Sequence, residues 1–326
     1  MLRSDFLSTN LIANCDCYIL EPGVRDIFVV ESKPTFSAVE FIQTHKDIIE
    51  TVLLQYGAVL LRGFDINGVS EFNKVAQIIT PNLLEYIYRS TPRTKLGGRI
   101  YTATEYPSNR HIPLHNEFSY FRFWPNKIMF FCVISPTSGG ETPIADSRKV
   151  LKNINPEIVN KFKQKGVMYV RNYTSGIDLS WQEVFQTDSK EKVECYCDEH
   201  AIQWLWRNDS NELTTKQVCQ ATVNHPITGE EVWFNQAHLF HISSLVNEDA
   251  AFLKAELGED NLTRNSFYGD GTNFEPPYLT EIRQAYDAAT IKFEWQRGDI
   301  MLLDNILMAH GRTPYTGERK IAVAMG

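Results

Sequence analysis

The sequence lacks any block rich in Lys and Arg. Its 32 basic residues are outnumbered by 40 acidic ones, which gives a formal net charge of −8 at pH 7. Nucleic acids and anionic membranes attract basic surfaces, so neither is expected as a partner of this chain. Long hydrophobic runs are missing too, and the sequence therefore predicts no transmembrane helix. The first residues contain no apolar signal-peptide segment, so we expect a cytoplasmic protein.

Cysteine is scarce, with six residues in a chain of 326. Because there is no secretion signal, free thiols are expected rather than a disulfide framework. The run Cys195-Tyr-Cys197-Asp-Glu-His200 offers three ligands for a structural zinc ion. Paired zinc-binding cysteines usually have at least two residues between them, so this spacing disfavours zinc without removing it as an alternative.

No internal repeat, low-complexity tract or linker divides the chain, and 43% of its residues are hydrophobic, enough to build a large core. We therefore predict a single domain over residues 1–326, with an insert at about 147–220. Short strands are predicted near both ends, which together with the helices indicates a mainly β fold with flanking helices. Glu21-Pro-Gly23 predicts a turn.

Hydrophobic periodicity and turn residues predict the individual elements. The main predicted helices span residues 36–56, 69–80, 147–165, 247–257 and 278–290. The main predicted strands span residues 58–64, 127–134, 203–207, 291–295 and 300–304, with a hairpin at 223–235. Gly57 is expected to end the first helix, because glycine suits the left-handed position after a helix.

The run around His115-Asn-Glu117 reads as an extended segment. Side chains alternate along a strand, so His115 and Glu117 would point the same way. An imidazole and a carboxylate make two thirds of a facial 2-His-1-carboxylate iron site. His310, in the late run His-Gly-Arg312, is the candidate for the missing ligand, and Arg319 follows it by nine residues.

Alone, a His-x-Glu triplet is common on exposed strands, and it gains weight here from the distal His and Arg. His238 and His241 are three residues apart and could share a helical face. A metal site there would still need a carboxylate, so we interpret them as structural or substrate-lining residues. The polar loop at residues 90–107 leads into His115, and it is either a substrate contact or an ordinary surface connection.

Several motifs occur together and in order from about residue 90 to the end. They are Ser90-Thr-Pro-Arg93, Tyr101-Thr-Ala-Thr-Glu-Tyr-Pro107, Leu114-His-Asn-Glu-Phe-Ser-Tyr120, Gly139-Gly-Glu-Thr-Pro-Ile-Ala-Asp146, His225-Pro-Ile-Thr-Gly229, Trp233-Phe-Asn-Gln236, Phe267-Tyr-Gly-Asp-Gly271, Gly298-Asp-Ile-Met-Leu-Leu-Asp-Asn305, His310-Gly-Arg312 and Gly317-Glu-Arg-Lys320. With them the sequence resembles the TauD/TfdA superfamily of Fe(II)/2-oxoglutarate dioxygenases. Within it, the likeness is to the branch of SyrP-like amino-acid hydroxylases and clavaminate-synthase-like proteins.

The resemblance implies a double-stranded β-helix, or jelly roll, whose mouth holds the iron. It implies that His115, Glu117 and His310 are the iron ligands, and that Thr142 and Arg319 bind the distal carboxylate of 2-oxoglutarate. The chemistry agrees, because a guanidinium fork matches a carboxylate and a Thr hydroxyl can donate a further bond.

Two departures from the wider family concern this pattern. Many members carry Asp where this chain has Glu117, although Glu occurs in the clavaminate-synthase-like branch. Many also carry a second Arg four residues after the first, and here that position is Val323. Lys320 is an alternative basic group, but alternation places it on the opposite strand face, so Arg319 is favoured.

The resemblance implies hydroxylation of an unactivated C–H bond, with O2 consumed and 2-oxoglutarate converted to succinate and CO2. Desaturation and cyclisation, which use the same cofactors, stay open. Halogenating relatives lack the carboxylate ligand, so Glu117 argues against halogenation. A non-catalytic jelly-roll binding or regulatory protein is the alternative of another class.

The expected substrate is an amino acid or amino-acid derivative, free or tethered to a carrier protein, in specialised metabolism. Four charged residues are candidate substrate contacts: Arg93, Glu105, Arg171 and Arg207. The three arginines are candidates for binding a carboxylate or a phosphopantetheine group, and for any one of them a surface ion pair is the commoner role.

Overall fold

The structure is a computed structural model, and it describes residues 12, 14–20, 27–33, 36–88, 90–174, 178–207 and 211–326. The turn predicted at Glu21-Pro-Gly23 lies outside the described residues. Within them, no helix is both long and apolar enough to cross a lipid bilayer.

Strands and helices are distributed along the whole described chain. The strands are Cys15–Leu20 (β1), Ile27–Ser32 (β2), Ala58–Arg62 (β3), Lys95–Gly97 (β4), Ile100–Thr102 (β5), Ile112–His115 (β6), Lys127–Ile134 (β7), Ser138–Gly139 (β8), Ile144–Asp146 (β9), Val167–Tyr173 (β10), Gln203–Arg207 (β11), Glu212–Cys219 (β12), Thr222–Asn224 (β13), Glu231–Trp233 (β14), Arg264–Tyr268 (β15), Thr290–Ile291 (β16), Ile300–Asp304 (β17), Met308–Arg312 (β18), Tyr315–Thr316 (β19) and Lys320–Met325 (β20). The α-helices are Ala38–Tyr56 (α1), Gly68–Ile79 (α2), Ser147–Asn153 (α3), Pro156–Lys165 (α4), Trp181–Phe185 (α5), Lys190–Glu199 (α6), Ala237–Phe240 (α7), Asn247–Leu257 (α8) and Pro276–Ala288 (α9).

Two sheets form the centre of the fold. The larger has eight strands in the order β1-β2-β3-β17-β7-β20-β5-β4, and the smaller has four in the order β16-β9-β18-β6. The sheets face each other where the Phe130 ring of β7 meets the His310 ring of β18 at 5.1 Å. This is an open jelly roll, so the predicted mainly β fold with flanking helices is confirmed.

Helices α1 and α2 cover the outer face of the larger sheet. Ser37 accepts a hydrogen bond from the Glu40 backbone at the start of α1, and Gly57 ends it at φ 78°. The apolar stripe that includes Phe41 and Ile49 packs with the outward side chains of β3 and β17 in one buried cluster. Both predicted helices are confirmed to within two residues, and they cover this face of the larger sheet.

The predicted insert contributes a third sheet in the order β11-β12-β10-β15, and its last strand comes from beyond residue 220. The helix predicted over 147–165 is in fact two helices, because Pro156 lacks the N–H that a continuous helix needs. The strand predicted at 291–295 is confined to Thr290–Ile291. The single domain over 1–326 and the limits of its insert stay predictions.

Candidate active site

The two histidines lie on adjacent strands of the smaller sheet. His115 ends β6, His310 lies in β18, and the two residues are direct partners in the antiparallel register. Their imidazole centroids are 4.6 Å apart. Two side chains that are 195 positions apart in the sequence thus meet because β18 pairs with β6.

Glu117 does not lie on the strand that the alternation predicts. Strand β6 ends at His115, and Glu117 sits in the turn that follows, next to Phe118 at φ 58°. The turn still brings its carboxylate to the histidines, with Glu117 Oε2 3.7 Å from His310 Nε2. One potential ligand atom from each of the three residues lies within 4.8 Å of the others.

Both imidazoles are in the neutral form that can bind a metal ion. His115 Nδ1 lies 2.8 Å from the Pro113 carbonyl, which only accepts, so Nδ1 carries the proton and Nε2 keeps its lone pair. Burial lowers the pKa of His115 and lowers that of His310 well below its usual value. Two neutral imidazoles beside one carboxylate form the donor set that a ferrous ion takes in facial-triad sites.

Asn305 fixes the turn that presents Glu117. Its Oδ1 accepts from the Glu117 backbone N–H at 2.7 Å, and its Nδ2 donates to the carbonyls of Glu117 and Pro125. Asn116 in turn donates from Nδ2 to the Asn305 carbonyl at 2.7 Å. Both asparagines belong to the sequence motifs, but their only sequence signal is that one lies beside a candidate ligand and the other at a strand end.

Replacing Asn305 with alanine is expected to lower the free energy of unfolding by at least ~3 kcal/mol, because it leaves three buried backbone groups without partners at roughly 1–3 kcal/mol each. Urea unfolding of the metal-free protein measures this. Asn155→Ala is the control, since Asn155 caps α4 in an exposed position and its loss should cost about 1 kcal/mol. Equal, small losses in both variants would contradict the role given to Asn305.

Thr142 and Arg319 meet across a small cavity from the two histidines. Arg319 donates from Nε to the Gly140 carbonyl at 2.8 Å and from Nη2 to Thr142 Oγ1 at 3.4 Å. Trp295 Nε1 donates to the same hydroxyl oxygen at 3.0 Å. The Thr142 oxygen thus accepts two bonds, and its O–H stays free to donate. Thr142 lies two residues before the start of β9.

Gly140 allows this approach. At φ 71°, a Cβ built on it would lie 2.8 Å from Pro136 Cγ and 3.0 Å from Arg319 Cδ. Burial lowers the pKa of Arg319 to about 10, with Arg312 nearby contributing, so the guanidinium is still charged at pH 7. The site therefore has a permanent cation opposite the two imidazoles.

One small cavity connects these groups. Its lining includes both histidines, Thr142 and Arg319, while Val323 occupies the position where a second Arg was expected. The remaining lining residues are Arg93, Ala103, Thr104, Ile112, Phe130, Gly311 and Arg312. Lys320 is exposed and is absent from this lining; it lines a neighbouring cavity, which Arg319 also borders.

The four candidate substrate contacts lie in different places. Arg93 lines the cavity and donates from Nη2 to Glu117 Oε2 at 2.8 Å. Glu105 is exposed beside the neighbouring cavity, where it accepts from Thr102 Oγ1. Arg171 is buried against the Tyr88 and Tyr173 rings. Arg207 lines a separate groove on the third sheet and donates to Asn261 at 3.0 Å. Of the four, the structure brings Arg93 alone to the cavity lining.

Neither rival metal site is assembled. Among the described residues, His115, Glu117 and His310 are the one group whose ligand atoms converge. Cys195 is exposed and Cys197 is buried in α6, because residues two apart on a helix face different sides. His238 is buried, donates from one imidazole nitrogen to the Leu114 carbonyl at 3.0 Å, and has its pKa lowered to about 3 by burial. It therefore supports the strand that carries His115.

A further buried pair explains two of the sequence motifs. His225 Nδ1 accepts from the Thr228 backbone N–H, so its Nε2–H donates to Asp304 Oδ2 at 3.0 Å. Asp304 Oδ1 accepts from the backbone of Ile306 and Leu307. This pair ties the 225–229 turn to the end of β17, next to Asn305. Its role is structural.

The fold and the cavity together define a class of protein. An open jelly roll holds two neutral imidazoles at one end of a small cavity, with the Glu117 carboxylate beside His310 and an Arg–Thr pair beyond the histidines. The donor set fits a ferrous ion, and the cationic end fits the tail of a dicarboxylate.

Comparison with known proteins gives the same class. Residues 24–325 match the family model "Taurine catabolism dioxygenase TauD, TfdA family". The chain is 43% identical to the dapdiamide synthesis protein DdaC of Enterobacter agglomerans, over 94% of this chain and 92% of that protein. It is 30% identical to a clavaminate synthase-like protein of Arabidopsis thaliana, over 90% and 88% of the two chains.

Solved structures support the fold. PvcB of Pseudomonas aeruginosa superposes with a TM-score of 0.56 at 13% identity, covering 96% of this chain and 91% of PvcB. The chain thus belongs to the TauD/TfdA dioxygenase family, as the resemblance implied. It is an Fe(II)- and 2-oxoglutarate-dependent oxygenase, which uses O2.

Proposed function

We propose that His115, Glu117 and His310 hold the Fe(II) ion of this oxygenase. The convergence of their ligand atoms to within 4.8 Å is the observation that carries this assignment. Each ligand has a support of its own, since Pro113 orients His115 and Asn305 orients the backbone of Glu117. Such supporting contacts hold ligands in place before the metal arrives.

Thr142 and Arg319 bind the distal carboxylate of 2-oxoglutarate in this proposal. The Thr142 O–H is free to donate, and the two bonds that Arg319 makes leave its Nη1 group for another acceptor. Guanidinium–carboxylate bonds in a buried cavity are strong because both groups are charged. Arg319 is half-buried and lines the cavity with Thr142 and the two histidines, whereas Lys320 is exposed and does not line it, which supports the choice of Arg319.

The iron, when bound, supplies the chemistry that couples oxidative decarboxylation of 2-oxoglutarate to oxidation of the substrate. The chain's own residues fix the geometry and keep out water. Phe130 is buried against the His310 ring, and Ile112 and Val323 add apolar surface to the cavity. Apolar side chains beside these polar groups lower the local polarity and so strengthen the polar contacts made there.

The substrate class that we propose is an amino acid or amino-acid derivative of specialised metabolism, free or attached to a carrier protein. The likeness to the dapdiamide synthesis protein DdaC supports this class, at 43% identity over nearly the whole chain. Hydroxylation is the expected outcome. Desaturation and cyclisation share the same cofactors and differ in how the substrate is placed. The presence of the Glu117 carboxylate argues against halogenation.

The test is anaerobic reconstitution with Fe(II) and 2-oxoglutarate, followed by exposure to O2. We expect a weak visible charge-transfer band in the absence of O2, and formation of succinate once O2 is admitted. Amino acids that perturb the band identify the substrate class. A folded, iron-loaded protein that gives neither band nor succinate would instead support the non-catalytic binding protein.

A further inference from the structure

Arg93 is placed where it can contact a second anion. Its side chain is 3% exposed, and Nη2 donates to Glu117 Oε2 at 2.8 Å. The guanidinium also stacks on the Tyr86 ring, with Cζ 4.3 Å from the ring centroid. These two contacts hold the group rigidly beside the carboxylate that we assign to the iron.

Two nitrogens of Arg93 have no hydrogen-bond partner. Both Nε and Nη1 are fully buried, and neither has an acceptor among the described residues. Buried N–H groups are rarely left unpaired in proteins, and for a charged group the cost is larger than for a neutral one. Because Arg93 lines the cavity, the missing acceptor is expected to come from a ligand.

The charge of the cavity favours an anionic ligand beyond 2-oxoglutarate. Its lining contains three arginines, Arg93, Arg312 and Arg319, and no acidic residue. Arg312 is directed to the backbone carbonyls of residues 106, 107 and 110. The charges of a ferrous ion and of 2-oxoglutarate cancel, Glu117 offsets one guanidinium, and Glu141, outside the lining but near Arg319, offsets another. Positive charge is left over, and a buried unbalanced charge is unfavourable.

We infer that Arg93 binds a free carboxylate of the substrate and so orients it beside the iron. This inference rests on the proposed function and deepens it. An anion held by Arg93 lies next to the Glu117 carboxylate, and its distance from the iron is therefore set by one rigid side chain. A neutral carbonyl at the same place, as in an amide or a carrier-protein thioester, lacks the charge and binds more weakly. The free acid is thus the preferred form at this end of the substrate.

The carboxylate could also be the one next to the keto group of 2-oxoglutarate, so the experiment has to separate the two. Each of the twenty L-amino acids and its carboxamide is titrated into the anaerobic Fe(II)–2-oxoglutarate form, with the visible band as the readout. The parent protein, Arg93→Met and Arg93→Lys are compared. The half-saturating concentration of 2-oxoglutarate is measured in each.

In the parent protein, an acid that perturbs the band should do so at a concentration at least ~10-fold lower than its carboxamide. Arg93→Met should remove this preference and leave the half-saturation of 2-oxoglutarate within about 3-fold of the parent value, because Arg319 still holds its tail. Arg93→Lys should restore part of the preference for the acid over its carboxamide. Lysine keeps the positive charge but lacks the planar set of guanidinium N–H donors. Arg62→Met is the control, because it breaks another Arg–carboxylate pair, between half-buried Arg62 and buried Asp299, away from the cavity. Its preference for the acid and its half-saturation by 2-oxoglutarate should match those of the parent protein.

An unchanged preference for the acid in Arg93→Met would overturn the inference. So would a loss confined to 2-oxoglutarate binding, which would assign Arg93 to the co-substrate. If the band forms but no amino acid perturbs it in the parent, the inference also fails. Absence of the band altogether is a different result, because it counts against the proposed function itself.

Discussion

Replacing His310 with alanine is expected to abolish the visible band and to weaken iron binding by at least ~100-fold, since loss of a supporting contact alone typically costs 10–100-fold. His310 lies opposite His115 in the register of β18 and β6, and in the described residues no other His, Cys or carboxylate converges on the cluster. Succinate formation should therefore fall to background. Equilibrium dialysis against Fe(II) and the visible spectrum under anaerobic conditions measure the two effects.

His238→Gln is the matched control for this prediction. His238 is also a buried histidine close to the site, but one of its imidazole nitrogens donates to the Leu114 carbonyl. A glutamine amide can replace that donor, so iron binding and the band should persist. If His310→Ala retained stoichiometric iron while His238→Gln lost it, the ligand assignment would be wrong and the His238–His241 region would become the metal site.

Replacing Arg319 with methionine is expected to raise the half-saturating concentration of 2-oxoglutarate about 100-fold, with iron binding unchanged. Truncating one partner of a buried charge-assisted bond costs roughly 2–5 kcal/mol, and about 3 kcal/mol corresponds to that factor. The buried Thr142 hydroxyl would lose a donor as well. Titration of the band with 2-oxoglutarate in the Fe(II) form gives the value directly.

Lys320→Met separates Arg319 from its neighbour. Lys320 is exposed and begins β20, while Arg319 lies just before that strand and reaches Gly140 and Thr142. Removing the Lys320 charge should change the half-saturation by less than about 2-fold, since exposed charges are screened by solvent. A large effect of Lys320→Met, with Arg319→Met close to the parent, would show that the basic partner of 2-oxoglutarate had been misassigned.

Apolar runs and amphipathic repeats predicted the strands and helices whose formation depends on neighbouring residues in the sequence. Strand Lys127–Ile134 and helix Ala38–Tyr56 follow from an apolar run and an amphipathic repeat, and both are present to within two residues. The helix predicted over 147–165 failed because its hydrophobic stripe continues across Pro156, and the backbone there starts a new helix. Periodicity reports which side chains are apolar, while the missing N–H of proline decides where a helix ends.

For the site, the residue types were predictable and their placement was not. Strand alternation predicted that the His115 and Glu117 side chains share one strand face. In the structure they approach each other through a turn held by Asn305. No pattern in one sequence shows that residue 305 will bond to residue 117. The pairing of Arg93 with Glu117 is likewise a tertiary contact, across 24 residues and a polar loop. Such contacts depend on how the sheets pack, which local sequence does not encode.

The register that places His310 beside His115 has a consequence for the order of events in the cell. The ribosome adds roughly 5–20 residues per second, so ~10–40 s pass between synthesis of the first histidine and of the second. Until β18 has emerged and docked between β6 and β9, the three residues that we propose as iron ligands are not together. On this assignment, iron reaches its full ligand set only after β18 has paired with β6. The metal-free protein has to hold its shape on its apolar core and buried amide bonds while it waits for the ion.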